Sequence, residues 1–201
     1  MTSLLRRAVL LAAVAALAGA ANATGAQDSP QKREAVMLVA KPGMIDPRFA
    51  ETVVLVAFPP DAGPMGVVLN RPSPMDLRSI WPERKDRQGR VELIHFGGPL
   101  QPDGLLFVFR MTPPPEKALW VTGNIYLSGD GDILERLLAL PEPPADQRFY
   151  AGYAGWVEGQ LEHEIELGGW YVLPPDAEVI FEMNALEMWE RMIERATLPR
   201  T

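Results

Sequence analysis

The stretch TVVLVAFPPDAGPMGVVL, Thr52–Leu69, contains two apolar runs separated by residues that cannot continue a strand. Thr52–Phe58 is rich in β-branched residues, which pack well on a pleated sheet, so it predicts a strand. Pro59–Pro64 combines prolines with a glycine and predicts a loop. Met65–Leu69 predicts the returning strand. Two strands around a short loop indicate a β-hairpin, and therefore an antiparallel pair of strands.

Similar short apolar runs on both sides of this hairpin extend the predicted sheet. The further predicted strands are Ala35–Ala40, Glu92–Phe96, Leu105–Arg110, Leu119–Val121, Ile125–Leu127, Arg148–Ala154 and Trp170–Leu173. The polar segment Arg71–Gly89 predicts an exposed loop. We expect a single α+β domain over residues 35–201, built on a strongly bent, mostly antiparallel and partly barrel-like sheet with a few packed helices.

Apolar residues at helical spacing predict three helices, over Asp132–Leu140, over Glu158–Leu167 and from about Ala185 to Ala196. Ser128 or Asp130 is expected to cap the first helix, which Pro141 ends. Asn184 with Glu187 forms a capping pair for the last helix. Leu186, Trp189 and Ile193 would lie on one face of that helix, at i, i+3, i+7 spacing.

The composition excludes several functional classes. The chain has 201 residues, 47% of them hydrophobic, a formal net charge of -7 and no cysteine. An acidic surface opposes general nucleic-acid binding, because phosphates require a basic partner. The absence of cysteine excludes disulfides, thiol nucleophiles and cysteine zinc sites. With only His95 and His163, a three-histidine metal site within one chain is also excluded.

The amino terminus has the pattern of a secretory signal peptide. Arg6 and Arg7 precede an apolar run from Ala8 to Ala18, and small-residue cleavage patterns follow it. We expect residues 1–23 to be a signal peptide, with cleavage between 20 and 26, and residues 24–34 to be a flexible lead-in. The protein would then be periplasmic or secreted, without a stable membrane span after processing. An uncleaved anchor or a misassigned start remains the alternative.

The segment Gly152–Glu162 is the densest group of candidate binding residues. Its glycines permit a sharp strand-to-helix turn, and Tyr153, Trp156, Gln160 and Glu162 accompany them. Trp156 and Trp170 are candidates for an interface anchor or for core packing. Leu161 and Ile165 are expected to face the core.

Two further segments supply candidate ligand or partner contacts. Asn70 and Arg71 follow a strand, where an arginine could hold an anion. The alternative is a turn with Asn70 bonded to its own backbone and Arg71 exposed. Gly97 and Gly98 indicate a close backbone approach, as a tight turn at a corner of the sheet.

No pattern carries a specific catalytic or metal-binding signal. Ser128–Asp132 fails as a calcium loop, because Leu134 and Pro141 fall where ligands are required. Glu158, Glu162 and Glu166 form an acidic row that is expected to be solvated, and His163 with Glu166 offers too few metal ligands. We therefore predict no catalytic residue, no metal and no cofactor.

The ordered set of segments resembles the YqgE/AlgH family of bacterial proteins. The matching segments are Met37–Ala40, Asp46–Phe49, Met65–Pro72, Gly97–Pro99, Gly152–Glu162 and Trp170 with Pro174. The resemblance spans about residues 36–195 and implies a compact α+β domain with a bent, partly barrel-like sheet. It supplies no catalytic residues. Ala57–Pro59 and Phe109-Arg110 depart from polar patterns common in the family, so the chain looks like a divergent, exported branch.

Three functions stay open. A non-enzymatic binding or regulatory module, with an unknown protein partner or a small ligand, fits the missing catalytic signature. A hydrolase or a metal-assisted enzyme would use His95, His163 or Glu166. The resemblance also implies a transcriptional regulator, but the acidic charge and the lack of a helix-turn-helix pattern oppose nucleic-acid binding.

Overall fold

The computed structural model describes residues 35–80, 93–140 and 146–198. Their strands are β1 (Val36–Ala40), β2 (Val53–Ala57), β3 (Met65–Val68), β4 (Pro72–Asp76), β5 (Leu93–Phe96), β6 (Leu100–Arg110), β7 (Leu119–Thr122), β8 (Ile125–Ser128), β9 (Gln147–Gly155) and β10 (Trp170–Leu173). The helices are α1 (Leu77–Ile80), α2 (Gly131–Leu138), α3 (Gln160–Glu166), α4 (Ala177–Phe181) and α5 (Met188–Thr197). The predicted signal peptide, the lead-in and Pro141 lie outside the described residues.

The strands of these residues form one sheet in the order β10-β1-β2-β3-β9-β6-β8-β7, with β4 and β5 attached beside β9. Neighbouring strands pair antiparallel, except that β5 runs parallel to β9. The sheet is strongly curled into a half-barrel. The predicted α+β domain with a bent, mostly antiparallel sheet is thus confirmed.

The strands of the opening hairpin are buried on both faces, which explains their continuous apolar sequence. On one face, Met37 and Leu55 pack against α4 and α5 in a cluster that includes Met188 and Met192. On the other face, alternate residues such as Leu38 pack in a second cluster with α3 and two tryptophans. A third cluster lies between β6, β9 and α2. The two helical layers are therefore separated by the sheet.

Several predicted elements have different bounds. The polar segment predicted as a loop from residue 71 contains β4 and α1, and its continuation over 81–92 lies outside the described residues. The predicted strand at Leu105 begins at Leu100, because residues 101–104 bulge out of the ladder with β9 and the pairing resumes beyond them. Helix α4, which has five residues, was not predicted. Asp130 caps α2 through its side-chain oxygen, as expected.

The last helix begins at Met188, later than the sequence predicts. Asn184 accepts a hydrogen bond from the backbone N–H of Leu186, and this turn delays the helix. Leu186 therefore precedes the helix and is 82% exposed, so the prediction that it shares a helix face with Trp189 and Ile193 was wrong. This ten-residue helix is the longest one described, and no helix in the described ranges has the length and apolar character needed to cross a bilayer.

Candidate functional site

The site is built where β9 turns into α3. Strand β9 ends at Gly155, and Trp156 places its backbone N–H 3.0 Å from the carbonyl oxygen of Pro64. A Cβ atom on Gly63 would lie 2.1 Å from the carbonyl oxygen of Trp156, so only glycine permits this approach. Gly159 precedes α3 with φ +77°, a conformation that also favours glycine. The turn therefore fixes Trp156 and the first turn of α3 together.

Glu164 organises the polar groups of this turn. One carboxylate oxygen accepts hydrogen bonds from the Nε1 atoms of Trp156 and Trp170, each 3.0 Å long. The other oxygen accepts one from the Gln160 side-chain amide, also 3.0 Å long. Phe49 packs between the two indoles, with ring centroids 6.3 Å and 5.8 Å away. We call these five residues the indole–carboxylate cluster.

The two tryptophans of the indole–carboxylate cluster are buried, so the cluster is a structural wall and not an exposed binding surface. Trp156 is 6% exposed and Trp170 is 3% exposed, and both belong to the apolar cluster under α3. Their N–H groups are satisfied by Glu164, as buried donors require. The cluster therefore ties β10, β9 and α3 into one rigid surface.

The first cleft lies over this wall and has a volume of about 500 Å³. We call it the α3 cleft; its sides are the 41–49 loop, Leu100, α3 and residues 167–170. Ile45, 96% exposed, and Leu167, 74% exposed, form its rim. Asp46 and Arg48 line the loop side as an ion pair, and hydrogen bonds from the Arg48 guanidinium lower the pKa of Asp46. Two further charged residues line the cleft: Lys41, whose ammonium lies 4.7 Å from the centre of the Tyr171 ring, and the hydrogen-bonded Glu164. The rest of its lining is mainly apolar or glycine.

A second cleft of about 610 Å³ adjoins the first. We call it the β6 cleft, because the 101–106 part of β6 forms one side while residues 62–65 and Tyr153 form others. Val157, 72% exposed, stands on its rim. The two clefts share Leu100, Gly155, Trp156 and Gln160, so they meet at the end of β9. We call the combined depression the groove.

Three of the predicted contact residues come together in this groove. Trp156 and Gln160 line both clefts, and Tyr153 lines the β6 cleft. Glu162, also predicted, is exposed on α3 and lines neither cleft. Sequence reasoning passed over Glu164, although its i,i+4 spacing from Gln160 placed the two on one face of the helix.

Gly97 and Gly98 lie under the groove as structural residues. A Cβ on Gly97 would lie 2.2 Å from the carbonyl oxygen of Gly152, and one on Gly98 would lie 2.2 Å from the backbone of Tyr153. The close backbone approach predicted at these glycines is present. They allow this close approach to the backbone of β9, and neither lines a cleft.

Asn70 and Arg71 lie away from the groove. Asn70 accepts a hydrogen bond from the Val53 N–H and donates one to the Glu51 carbonyl, 2.9 Å and 2.8 Å long. The expected bond to its own backbone is replaced by this bridge between segments. The half-buried Arg71 reaches the Ala50 carbonyl at 3.4 Å.

The residues considered for catalysis do not form a recognisable centre. Within the described residues, no group of three histidine, aspartate or glutamate side chains is placed to hold a metal ion. His163 and Glu166 are exposed on α3. His95 is buried beside Tyr150, and burial, with the nearby Arg148 charge, lowers the pKa of His95 to about 4. Neither histidine lines a cleft of the groove.

Known proteins resemble this chain in sequence. A UPF0301 protein of Anaeromyxobacter sp. (strain K) is 33% identical over 182 residues, which cover 86% of this chain and 92% of that protein. A UPF0301 protein of Chromobacterium violaceum is 33% identical over 159 residues, covering 76% of this chain and 84% of its own length.

Two solved structures share the architecture. The AlgH protein of Pseudomonas aeruginosa superimposes with a TM-score of 0.66 at 29% identity, covering 86% of this chain and 93% of that one. Protein DIP2367 of Corynebacterium diphtheriae gives a TM-score of 0.65 at 24% identity over 83% of this chain and 88% of its own, a likeness of fold alone. A family model described as AlgH-like matches residues 37–200. The chain therefore belongs to the AlgH-like family, as its ordered motifs suggested.

Proposed function

We propose that this chain is an exported, non-enzymatic binding or regulatory module that holds its ligand or partner in the groove. The observation that carries the proposal is the meeting of two apolar clefts at Trp156 and Gln160. Large apolar side chains stand exposed around them, including Ile45, Val157 and Leu167. Contiguous exposed apolar surface is typical of an interaction site.

Binding fits the groove better than catalysis does. The polar groups that converge in its wall already satisfy one another, because Glu164 accepts hydrogen bonds from Trp156, Trp170 and Gln160. A general acid or base requires a group that is available to a substrate proton. A hydrolase or metal-assisted enzyme built on His95, His163 or Glu166 would need a site outside the groove.

Export is proposed from the amino-terminal pattern. Residues 1–23 combine a basic start, a short apolar run and small-residue cleavage patterns. Export to the periplasm would separate the protein from chromosomal DNA, and the net charge of -7 also opposes direct transcriptional regulation. Among AlgH-like proteins the chain would then represent a divergent, exported branch.

Cell fractionation with the intact mass of the native protein tests export. We expect a periplasmic or secreted protein whose mature chain begins between residues 21 and 27. A full-length chain in the cytosol would overturn export and reopen intracellular regulation, the second candidate function.

An NMR screen tests the groove as a binding surface. Neutral aromatic and aliphatic fragments are titrated into ¹⁵N-labelled mature protein, and the Trp156 indole and Gln160 side-chain amide signals are followed. We expect both to shift, and we expect Leu167→Asp to weaken the shifts. Leu186→Asp, which alters an exposed leucine outside both clefts, is the matched control. Shifts that map only to other surfaces, or no shifts at all, would contradict the proposal.

A further inference from the structure

The β6 cleft has an uncharged lining. Its described lining residues are apolar or glycine, apart from Gln101, Gln160 and Tyr153. The Gln101 side chain is exposed and makes no hydrogen bond with a described residue. Its amide offers both donors and an acceptor to a bound peptide group. The cleft can therefore receive apolar groups while one amide recognises a polar backbone.

Carboxylates surround this uncharged lining. Three of the segments that border the β6 cleft carry an exposed acidic residue next in sequence to a lining residue: Asp61 beside Ala62, Asp103 beside Gly104 and Glu158 beside Val157. None of the three forms an ion pair with a described residue. These three segments, residues 60–64, 100–104 and 155–160, contain no lysine or arginine.

A fourth acidic residue next to the lining, Asp130, is neutralised by an ion pair. Asp130 follows the lining residue Gly129, but Lys117 pairs with it at 3.2 Å. Asp61, Asp103 and Glu158 thus form an acidic rim, defined by these three residues, around an apolar floor. A rim of one sign attracts a ligand of the opposite charge and disfavours phosphates and fatty-acid carboxylates.

The shape of the groove favours an extended ligand. Two separate apolar clefts meet at Leu100 and Trp156, so side chains spaced along one segment can enter each cleft in turn. Specific pockets for alternate side chains are a common mode of peptide recognition. A peptide group can also form hydrogen bonds with the amide of Gln101, which a simple hydrocarbon chain cannot.

Resting on the proposed binding function of the groove, we infer that its occupant is an extended segment of a partner protein that carries apolar side chains flanked by lysine or arginine. The apolar side chains enter the two clefts. The flanking cations lie against the acidic rim.

Selection from a displayed library of random nonapeptides tests this inference with the mature protein. We expect enriched sequences to combine lysine or arginine with large apolar residues. Synthetic copies, measured by fluorescence anisotropy, should bind about tenfold more weakly to the triple variant Asp61→Asn, Asp103→Asn, Glu158→Gln, with a reduced salt dependence. The matched control is Glu182→Gln, Glu190→Gln, Glu194→Gln, which removes the same charge from exposed positions on the opposite face of the sheet and should leave affinity unchanged.

Some outcomes would overturn only the inferred occupant, and others would also overturn the proposed binding function of the groove. Enriched peptides that bind the groove but lack basic residues would overturn the inference and leave the groove as a binding surface. If no peptide is enriched on the wild type relative to the double variant Val157→Asp, Leu167→Asp, both the inference and the proposed binding function would be overturned. Equal weakening in the two triple variants would assign the effect to net charge and overturn the role of the acidic rim.

Other occupants give distinguishable results. A synthetic peptide of residues 2–20 that binds more tightly than every selected sequence would assign the groove to the chain's own amino terminus. Dodecyltrimethylammonium binding that exceeds peptide binding would assign it to a small cationic amphiphile. A dimer in solution that Val157→Asp dissociates would assign it to a second copy. Each of these results would overturn a partner segment as the occupant.

Discussion

The indole N–H of Trp156 donates a 3.0 Å hydrogen bond to the carboxylate of Glu164, eight residues later in the chain. This bond crosses from the end of β9 to the second turn of α3 and sets the angle between strand and helix. Because the same turn forms the floor where the two clefts meet, the shape of the groove depends on this pairing.

Replacing Glu164 by alanine should destabilise the fold and loosen the groove. The change leaves the buried indole N–H groups of Trp156 and Trp170 without their acceptor. An unsatisfied buried donor costs about 1 to 3 kcal/mol, so for the two indoles we expect a loss of about 2 to 6 kcal/mol in the free energy of unfolding. Urea denaturation followed by tryptophan fluorescence measures it.

The matched control for Glu164→Ala is Glu166→Ala. Glu166 lies two residues later on the exposed side of α3, and we expect a change within about 0.5 kcal/mol. Equal effects of the two substitutions would show that Glu164 acts as another surface charge and that the wall of the groove does not depend on it.

Short-range pattern predicted most of the strands, but it missed β4 and did not identify the site. Val54 and its neighbours predicted a strand, because β-branched residues and flanking prolines act locally. Glu164 is different: its acceptor role depends on Trp170 and Phe49, which tertiary packing brings beside α3. In the sequence it is one more acid near a row of exposed glutamates, and spacing alone does not distinguish them.

Gly98→Ala should be strongly destabilising, since its Cβ would lie 2.2 to 2.4 Å from the backbone of Tyr153 and Ala154. These are backbone atoms that cannot rotate away, so the sheet must shift beneath the groove. We expect a loss of at least about 2 kcal/mol in the free energy of unfolding, measured by urea denaturation. Gly131→Ala is the control, because its Cβ meets nothing within 4 Å at the start of α2. That variant should be neutral or slightly more stable; a comparable loss in both would contradict the close approach.

Helix α5 gives a third prediction, at a position where the sequence pattern was misleading. Leu186 has helical spacing with Trp189, but the turn at Asn184 puts Leu186 in solvent, whereas Met192 is 1% exposed. Met192→Ala should therefore cost about 2 to 5 kcal/mol of stability. Leu186→Ala should change it by less than about 0.5 kcal/mol. Thermal and urea unfolding of both variants measure the difference, and a larger loss for Leu186→Ala than for Met192→Ala would contradict the exposed position of Leu186 before the helix.

His95 gives the last prediction, which concerns pH. Its side chain is 6% exposed, and its Nε2 atom lies 3.4 Å from the Arg148 guanidinium. Burial first, and then the Arg148 charge, lower the pKa of His95 from 6.5 to about 4. The folded protein therefore keeps this imidazole neutral at pH values where the unfolded chain binds a proton.

The sign of the pH effect follows from proton binding. Between pH 6.5 and pH 4 the unfolded state holds more protons on His95 than the folded state does. The contribution of His95 to the free energy of unfolding is therefore complete above pH 6.5 and falls as the pH decreases. From pH 7.5 to pH 5.0 the free energy of unfolding should fall by about 2 kcal/mol through His95. Urea denaturation of the wild type and of His95→Gln at both pH values isolates this effect, because the titrating carboxylates are common to the two proteins. The stability advantage of the wild type over His95→Gln should shrink by that amount at pH 5.0, and an advantage that is the same at both pH values would contradict a neutral, buried His95.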